Sequence, residues 1–323
     1  MGRSAPPPAG DLPPDAFFER ARRVLPVSHH DALMAALTEP RPVWLRVNTL
    51  VATPQEVRSS LGVPTEPGPW PEALRVEPEH RSAVLRHDLY GAGAIYLQSL
   101  SSQAAAPALD PQPGEEIVDL CAAPGSKTSH LAALMRTGTL VANEVSKGRS
   151  HKLRAVLAQL RVSGRESLDV RVRTGDGVRF RGHRECFDRV LVDAPCSGEG
   201  RFHVGDPRSW GGWSPRKVKV TASKQKALLH AAIDATRPGG VIVYATCTLA
   251  PEENEGVLAR ALKRYDGVVH LEPLPVPLET ALPALTQWGA GKGFPPSIAE
   301  HARRIPPGPA WDGFFLARLR KAE

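Results

Sequence analysis

The sequence predicts an α/β protein: a doubly wound, mostly parallel sheet preceded by a smaller α+β domain. Two observations lead there. From Glu115 onward, short apolar runs alternate with segments of helical periodicity, and the first of those runs ends in a turn of small residues, Cys121-Ala122-Ala123-Pro124-Gly125, that opens a helix. Such alternation builds a parallel sheet with helices on both faces and places ligands at the carboxyl ends of its strands. Upstream of residue 111 the periodicities are mixed, which is the pattern of a separate, smaller domain.

Residues 1–13 are rich in Pro and carry no apolar run after their single Arg, so they read as a disordered lead-in and not as a secretory signal. Residues 14–110 form the N-terminal domain. Within it PDAFFERARRVL, with Phe17, Phe18, Ala21, Val24 and Leu25 on one side, and HHDALMAALTE read as helices, and VWLRVNTLV reads as a strand. Thr53-Pro54-Gln55-Glu56 combines an N-cap, a Pro at the first helical position and a capping-box Glu, so a short helix follows and ends at Gly62. Residues 63–71 form a Pro-rich loop, ALRVE is a strand, and 98–109 is an Ala/Ser-rich helix. The break Asp110-Pro111-Gln112-Pro113-Gly114 sets the boundary to the second domain, 111–323. There IVDLC, TLVANEV, LDVRV, FDRVLVDA, GVIVYATC and the closing DGFFLARLRK are strands. SKTSHLAALM, SKGRSHKLRAVLAQL, TASKQKALLHAAIDA and PEENEGVLARALKRY are helices, and the Pro-rich stretch 271–309 has no clear periodicity.

The 323 residues carry 41 Lys and Arg against 34 Asp and Glu, a net charge of +7 that modestly favours a polyanionic partner. No stretch approaches the roughly 20 apolar residues that cross a bilayer, which excludes a membrane-spanning helix. Cys121, Cys186, Cys196 and Cys247 form no CxxC pair and no dense framework, so neither structural zinc nor disulfides are expected, and free thiols fit a cytoplasmic protein.

The turn Cys121 to Lys127 follows the first strand of the α/β half. Small residues there let the backbone approach a ligand, and the following helix N-terminus attracts negative charge. Cys121 and Ser126 occupy the glycine positions of the phosphate-loop pattern and GxGxxG is also unmet, so ATPase and nicotinamide readings lose support. One strand later comes Glu144, placed to accept from both hydroxyls of a ribose, and after the third strand comes Asp176 in TGDG, placed to face an adenine edge. Together these suggest an adenosine-containing cofactor. The fourth strand ends in Asp193-Ala194-Pro195-Cys196 and the fifth in Thr246-Cys247, so two thiols and an acid converge on the cofactor edge of the sheet. A thiolate is a nucleophile for an electron-poor ring carbon when its pKa is lowered or a base is near. Addition at C6 of cytosine, with an acid at N3, would make C5 reactive toward a methyl sulfonium. Chemistry alone does not choose between Cys196 and Cys247 as the attacking group.

DLCAAPGSKT, ANE, GDG, DAPCSG, YATCTL with PEENE, and GFFLARL, in that order, resemble the motifs of the NOP/Sun family of RNA cytosine-5 methyltransferases; RVNTL and YLQSLSSQ resemble its N-terminal part, most closely that of the bacterial ribosomal RNA enzymes. The resemblance implies the seven-stranded methyltransferase fold and S-adenosyl-L-methionine as cofactor. It implies that Cys247 attacks C6, that Cys196 assists product release, and that Asp193 contacts the base and lies near the cofactor. It also implies cofactor contacts from Cys121, Ala122, Ala123, Pro124, Gly125, Ser126 and Lys127, from Glu144, Asp176 and Asp193, and from Arg149. Lys127 is left facing either cofactor or cytosine. Ser126 stands where the family usually has Gly, so a left-handed backbone there would cost about 1 kcal/mol.

Between the cysteines lies a basic, aromatic stretch with Arg201, His203, Arg208, Trp210, Trp213, Arg216 and Lys217, in which cations would neutralise phosphates and indoles would stack on unpaired bases. The expected partner is RNA, ribosomal RNA first and transfer RNA second, with the target base unpaired or flipped out. Two other classes compete: a non-covalent methyltransferase, for which both cysteines are dispensable, and a non-catalytic RNA-binding assembly factor.

Overall fold

The computed structural model describes residues 12–290 and 293–323, so most of the expected lead-in, residues 1–11, lies outside the described residues. Helices α1 (Asp15–Val24) and α2 (His30–Thr38) come first, followed by strand β1 (Val43–Val47) and helix α3 (Pro54–Ser60). The capping box of α3 is formed from both sides: Glu56 N–H donates to Thr53 Oγ1, and the Glu56 carboxylate accepts from Thr53 N–H at 2.7 Å. Then follow β2 (Glu66–Pro67), β3 (Ala73–Val76), α4 (Arg81–Arg86), α5 (Asp88–Gly91) and β4 (Ile95–Leu97). The four strands make one antiparallel sheet in the order β2-β3-β1-β4, around a core that includes Leu45, Val57, Leu74 and Ile95.

The expected 98–109 helix is two pieces, α6 (Leu100–Gln103) and α7 (Ala105–Leu109). Pro107 lacks the N–H that a continuous helix would use there. Both pack into the core of the larger sheet with β5 (Glu116–Asp119), α8 (Ser126–Met135), β6 (Gly138–Glu144), α9 (Lys147–Gln159), β7 (Leu168–Thr174) and β8 (Phe187–Asp193). The chain continues through α10 (Pro215–Ala235), β9 (Thr236–Thr246), α11 (Glu255–Arg264), β10 (Val269–Glu272), β11 (Leu282–Pro283), α12 (Pro296–His301), β12 (Arg303–Ile305) and β13 (Phe314–Lys321).

Strands β9-β8-β5-β6-β7 are parallel in that order, and β13 is antiparallel to β9. The strand order reverses between β5 and β8, the switch point at which open α/β sheets bind ligands. Successive residues face opposite ways: Ile117, Leu191 and Val243 join the layer with α7, α8 and α9, while Val118, Val192 and Tyr244 join the layer with α10 and α11. Among the described residues the sheet has nine strands, two more than the seven the resemblance implies: to the six strands read from the sequence are added β10, β11 and β12, with β10 and β12 sharing the outer edge of β13.

Helix α10 starts six residues before the expected TASKQ segment. Ser214 caps it, accepting from Lys217 N–H at 3.1 Å, and Pro215 occupies the first helical position. The indoles of Trp210 and Trp213 do not face a base. They are 6% and 8% exposed and pack with Phe17 of α1 and Phe202 in one apolar cluster, which corrects the stacking expectation. Among the described residues, no helix is long and apolar enough to cross a membrane.

Candidate functional site

The register Asp193↔Ala245 puts the carboxyl ends of β8 and β9 side by side, so the two loops that follow are neighbours. Cys196 and Cys247 meet there with sulfur atoms 3.2 Å apart. The loops are fastened by Gly200 N–H donating to the Cys247 carbonyl at 3.0 Å, and Gly313 N–H donates to Gly200 O at 2.9 Å. Only glycine fits at 200: a Cβ there would lie 1.9 Å from Gly313 O.

The thiols open into a cavity of about 460 Å³ whose lining includes Gln98, Cys121, Lys127, Asp193, Arg201 and Phe314. Lys127, from the first turn of α8, donates to Asp193 Oδ2 at 2.8 Å and lies 5.5 Å from the Phe314 ring centroid. The Cys196 hydrogen bond favours the Cys247 thiolate, and Arg201 and Lys127 add positive charge, so Cys247 is pulled down despite its burial and the nearby Asp193. Cys196 is pushed well up by its bond to Cys247, by burial and by the charge on Cys247. Arg201 is raised, chiefly by Cys247. Cations thus stand at Cys247, which accepts the hydrogen bond of Cys196.

The turn before α8 is built on Asp119, whose carboxylate accepts from Thr128 Oγ1 at 2.7 Å and from Cys121 N–H at 3.3 Å. Burial pushes Asp119 up to about 7 against those two bonds. The left-handed residue is Gly125, at φ +116°, whereas Ser126 is the first residue of the helix. Ser126 therefore carries none of the cost anticipated for it. Gly125→Ala is expected to destabilise the protein by about 1–2 kcal/mol, read in a denaturant titration. The added Cβ would also sit 3.1 Å from Leu153 and 3.2 Å from Val156. An unchanged midpoint would contradict that assignment.

Neither Glu144 nor Asp176 lines this cavity. Glu144 is buried, accepts from Ser146 N–H at 2.8 Å and pairs with Arg149 at 3.3 Å. Arg149 also donates to Ala123 O at 2.5 Å and reaches the cavity wall. Asp176 accepts from Val178 N–H at 3.0 Å. Asn143 donates to Leu120 O and Gly175 O, both at 3.0 Å, joining the loops after β5 and β7, while its buried Oδ1 has no partner. An unpartnered acceptor beside Gly175, in the loop after β7, fits a nucleoside with N–H or O–H groups to offer.

Sequence reasoning named PEENE as a motif but gave its side chains no role, and it missed Arg46. Each of the four polar residues of PEENE, 252 to 255, frames the Cys247 loop differently. Glu252 pairs with Arg20 at 2.6 Å, Glu253 accepts from Ser197 N–H at 3.0 Å, Asn254 accepts from Thr246 Oγ1 at 2.6 Å, and Glu255 accepts from Arg304 Nε at 2.6 Å. Four polar residues in a row after a strand were the available signal. From the N-terminal half, the fully buried Arg46 donates to Gln98 Oε1 at 2.9 Å and to Ser129 Oγ of α8 at 2.7 Å, and burial pulls its guanidinium down to about 10. That bond fixes the smaller sheet against the helix that carries Lys127.

The family described as 16S rRNA methyltransferase RsmB/F matches residues 106–320. The chain is 35% identical over 321 residues to ribosomal RNA small subunit methyltransferase F of Escherichia coli, and the same holds for the protein of that name in Shigella boydii. The match covers 96% of the chain and 64% of these relatives, so the chain spans under two thirds of their length. Among solved structures, a methyltransferase homolog from Pyrococcus horikoshii is 31% identical, with a TM-score of 0.75 over 95% of this chain and 99% of that one. NSun6 from Pyrococcus horikoshii, determined with SFG, has a TM-score of 0.78 at 22% identity over 96% and 98% of the two chains, a likeness of fold. The matched segment contains both cysteine loops, the Lys127–Asp193 pair and the switch point of the sheet, and on that match the chain belongs to the 16S rRNA methyltransferase RsmB/F family.

Proposed function

We propose that the protein is an S-adenosylmethionine-dependent RNA cytosine-5 methyltransferase acting on ribosomal RNA in the cytoplasm, with Cys247 as the nucleophile. The observation that carries this is the pair of thiols 3.2 Å apart, hydrogen-bonded to each other and buried, with Arg201 and Lys127 beside Cys247. One thiol is thereby prepared as the thiolate and its neighbour stays protonated.

When bound, the cofactor supplies an electrophilic methyl group on sulfonium sulfur. The Cys121 to Lys127 turn, Glu144, Arg149 and Asp176 would hold it along the carboxyl edge of β5, β6 and β7. Cys247 adds to C6 of an unpaired cytosine, and Asp193, fixed by Lys127, hydrogen-bonds the base as charge develops on it. Loss of the C5 proton to water then re-forms the C5–C6 double bond and expels the Cys247 thiolate, and Cys196, 3.2 Å away, assists release by donating its hydrogen bond to the departing sulfur. The antiparallel N-terminal sheet, fixed through Arg46, guides the RNA.

Cys196→Ala should block the last step and accumulate the adduct. On a denaturing gel of protein purified from RNA-containing cells, a slow band that collapses with ribonuclease is expected. It should be absent from Cys196→Ala/Cys247→Ala, and sequencing of the attached RNA separates ribosomal from transfer RNA. A band that survives in the double variant, or none with native RNA and cofactor binding confirmed, would overturn the covalent reading.

A further inference from the structure

Behind the two thiols, the residues that follow them in sequence form one buried line. Glu253 Oε2 lies 3.0 Å from Ser197 Oγ, Ser197 Oγ lies 2.7 Å from Thr248 Oγ1, and Thr248 Oγ1 lies 3.2 Å from Glu199 Oε2. All four residues are buried. These three oxygen–oxygen contacts have only two hydroxyl hydrogens between them. Were both carboxyls ionised, one contact would face lone pair to lone pair inside a low-dielectric interior, which is costly. A single additional proton supplies a hydrogen to every contact.

The surroundings decide which end holds it. Glu199 accepts from Trp213 Nε1 at 2.8 Å and faces Arg20, although Glu252 opposes that charge. Glu253 meets the Ser197 backbone N–H, the Glu199 carboxylate and the thiol of Cys196, and Tyr244 donates to its backbone carbonyl at 2.6 Å. None of these is a cation. We propose that Glu253 is protonated and donates to Ser197 Oγ, starting a chain through Thr248 to the Glu199 carboxylate that holds Cys196 and Cys247 in register. Glu253, Ser197 and Thr248 are then positioning residues, since Ser197 and Thr248 directly follow the two cysteines.

Burial pushes Glu253 up to about 7, and Glu199 is raised as well. A carboxyl raised on folding stabilises the fold fully below its unfolded value and loses that contribution as pH rises through its folded value. Above about pH 7 the chain is one hydrogen short, and the loops are freer to separate.

The effect on activity rests on the reading of Cys247 as nucleophile, whereas the proton itself does not. The test uses the full chain, with Glu253→Gln and Glu253→Ala, each alone and combined with Cys196→Ala. A glutamine accepts from Ser197 N–H and permanently donates to Ser197 Oγ. Carbon NMR of labelled glutamate should show one carboxyl titrating near 7 that vanishes in Glu253→Gln. Relative to Glu253→Gln, whose amide has no proton to lose in that range, the adduct rate with Glu253 present should fall about tenfold or more between pH 6 and 9, a ratio in which the deprotonation of Cys247 common to both cancels, while Glu253→Ala is slow throughout. The proposal is overturned if every glutamate titrates below pH 5.5, if Glu253→Gln keeps the alkaline loss, or if it is as slow as Glu253→Ala. No adduct from the Cys196→Ala protein at any pH would instead defeat the nucleophile reading, and the carbon titration would still decide the proton.

Discussion

Cys247→Ala is expected to abolish methyl transfer, with a loss on the order of 10⁴-fold or more, the scale reached when the nucleophile of a covalent mechanism is removed. Without addition at C6 the C5 carbon of cytosine is not nucleophilic enough to take a methyl group, and no other thiol takes over. Cys196 is only 3.2 Å away, yet its proton is held by the hydrogen bond to Cys247, by burial and by the charge on Cys247. Arg201 and Lys127 sit where they favour a negative charge on Cys247. The two cysteines should therefore behave differently: Cys196→Ala slows release and traps the adduct, whereas Cys247→Ala forms none. Single-turnover transfer of a labelled methyl group to RNA reads the difference. Transfer by Cys247→Ala at more than about a hundredth of the wild-type rate would reverse the assignment or point to a non-covalent reaction.

The α/β half was legible because parallel strands covered on both faces leave long apolar runs, and helices between them keep a 3.6-residue period. The convergence of Cys121, Asp193, Cys196 and Cys247 was legible for the same reason, since parallel strands all aim their carboxyl ends one way. What stayed hidden depends on partners far apart in sequence. Trp210 and Trp213 look like base-stacking residues beside so many cations, but Phe17, nearly 200 positions away, shields them from solvent. The Lys127–Asp193 bond and the line from Glu253 to Glu199 likewise join loops whose approach only the sheet register determines. Helix α10 is a different case: its start is set locally, by Ser214 as the cap and Pro215 at the first helical position, six residues before the expected segment.

Arg304→Met should destabilise the protein by about 3–5 kcal/mol, the cost of leaving one member of a buried ion pair alone. Arg304 and Glu255 are 2% and 0% exposed, and the guanidinium engages both carboxylate oxygens, with Nε 2.6 Å from Oε1. After the substitution Glu255 keeps only Leu285 N–H, at 2.8 Å, as a hydrogen-bond donor from this set. The pair as a whole is worth less than that figure implies, because both ions were desolvated to form it. Arg304→Met/Glu255→Gln should recover much of the loss by removing the stranded charge. The recovery should be incomplete, since Arg304 Nη1 also donates to Leu249 O at 2.8 Å, two residues past the Cys247 thiol. Urea midpoints of the two variants and wild type measure both quantities, and a single variant within about 1 kcal/mol of wild type would show that water reaches Glu255. Because Leu249 loses its donor in both variants, adduct formation should stay depressed in the double variant even where stability returns, which separates the pair's part in holding the cysteine loop from its part in holding the fold.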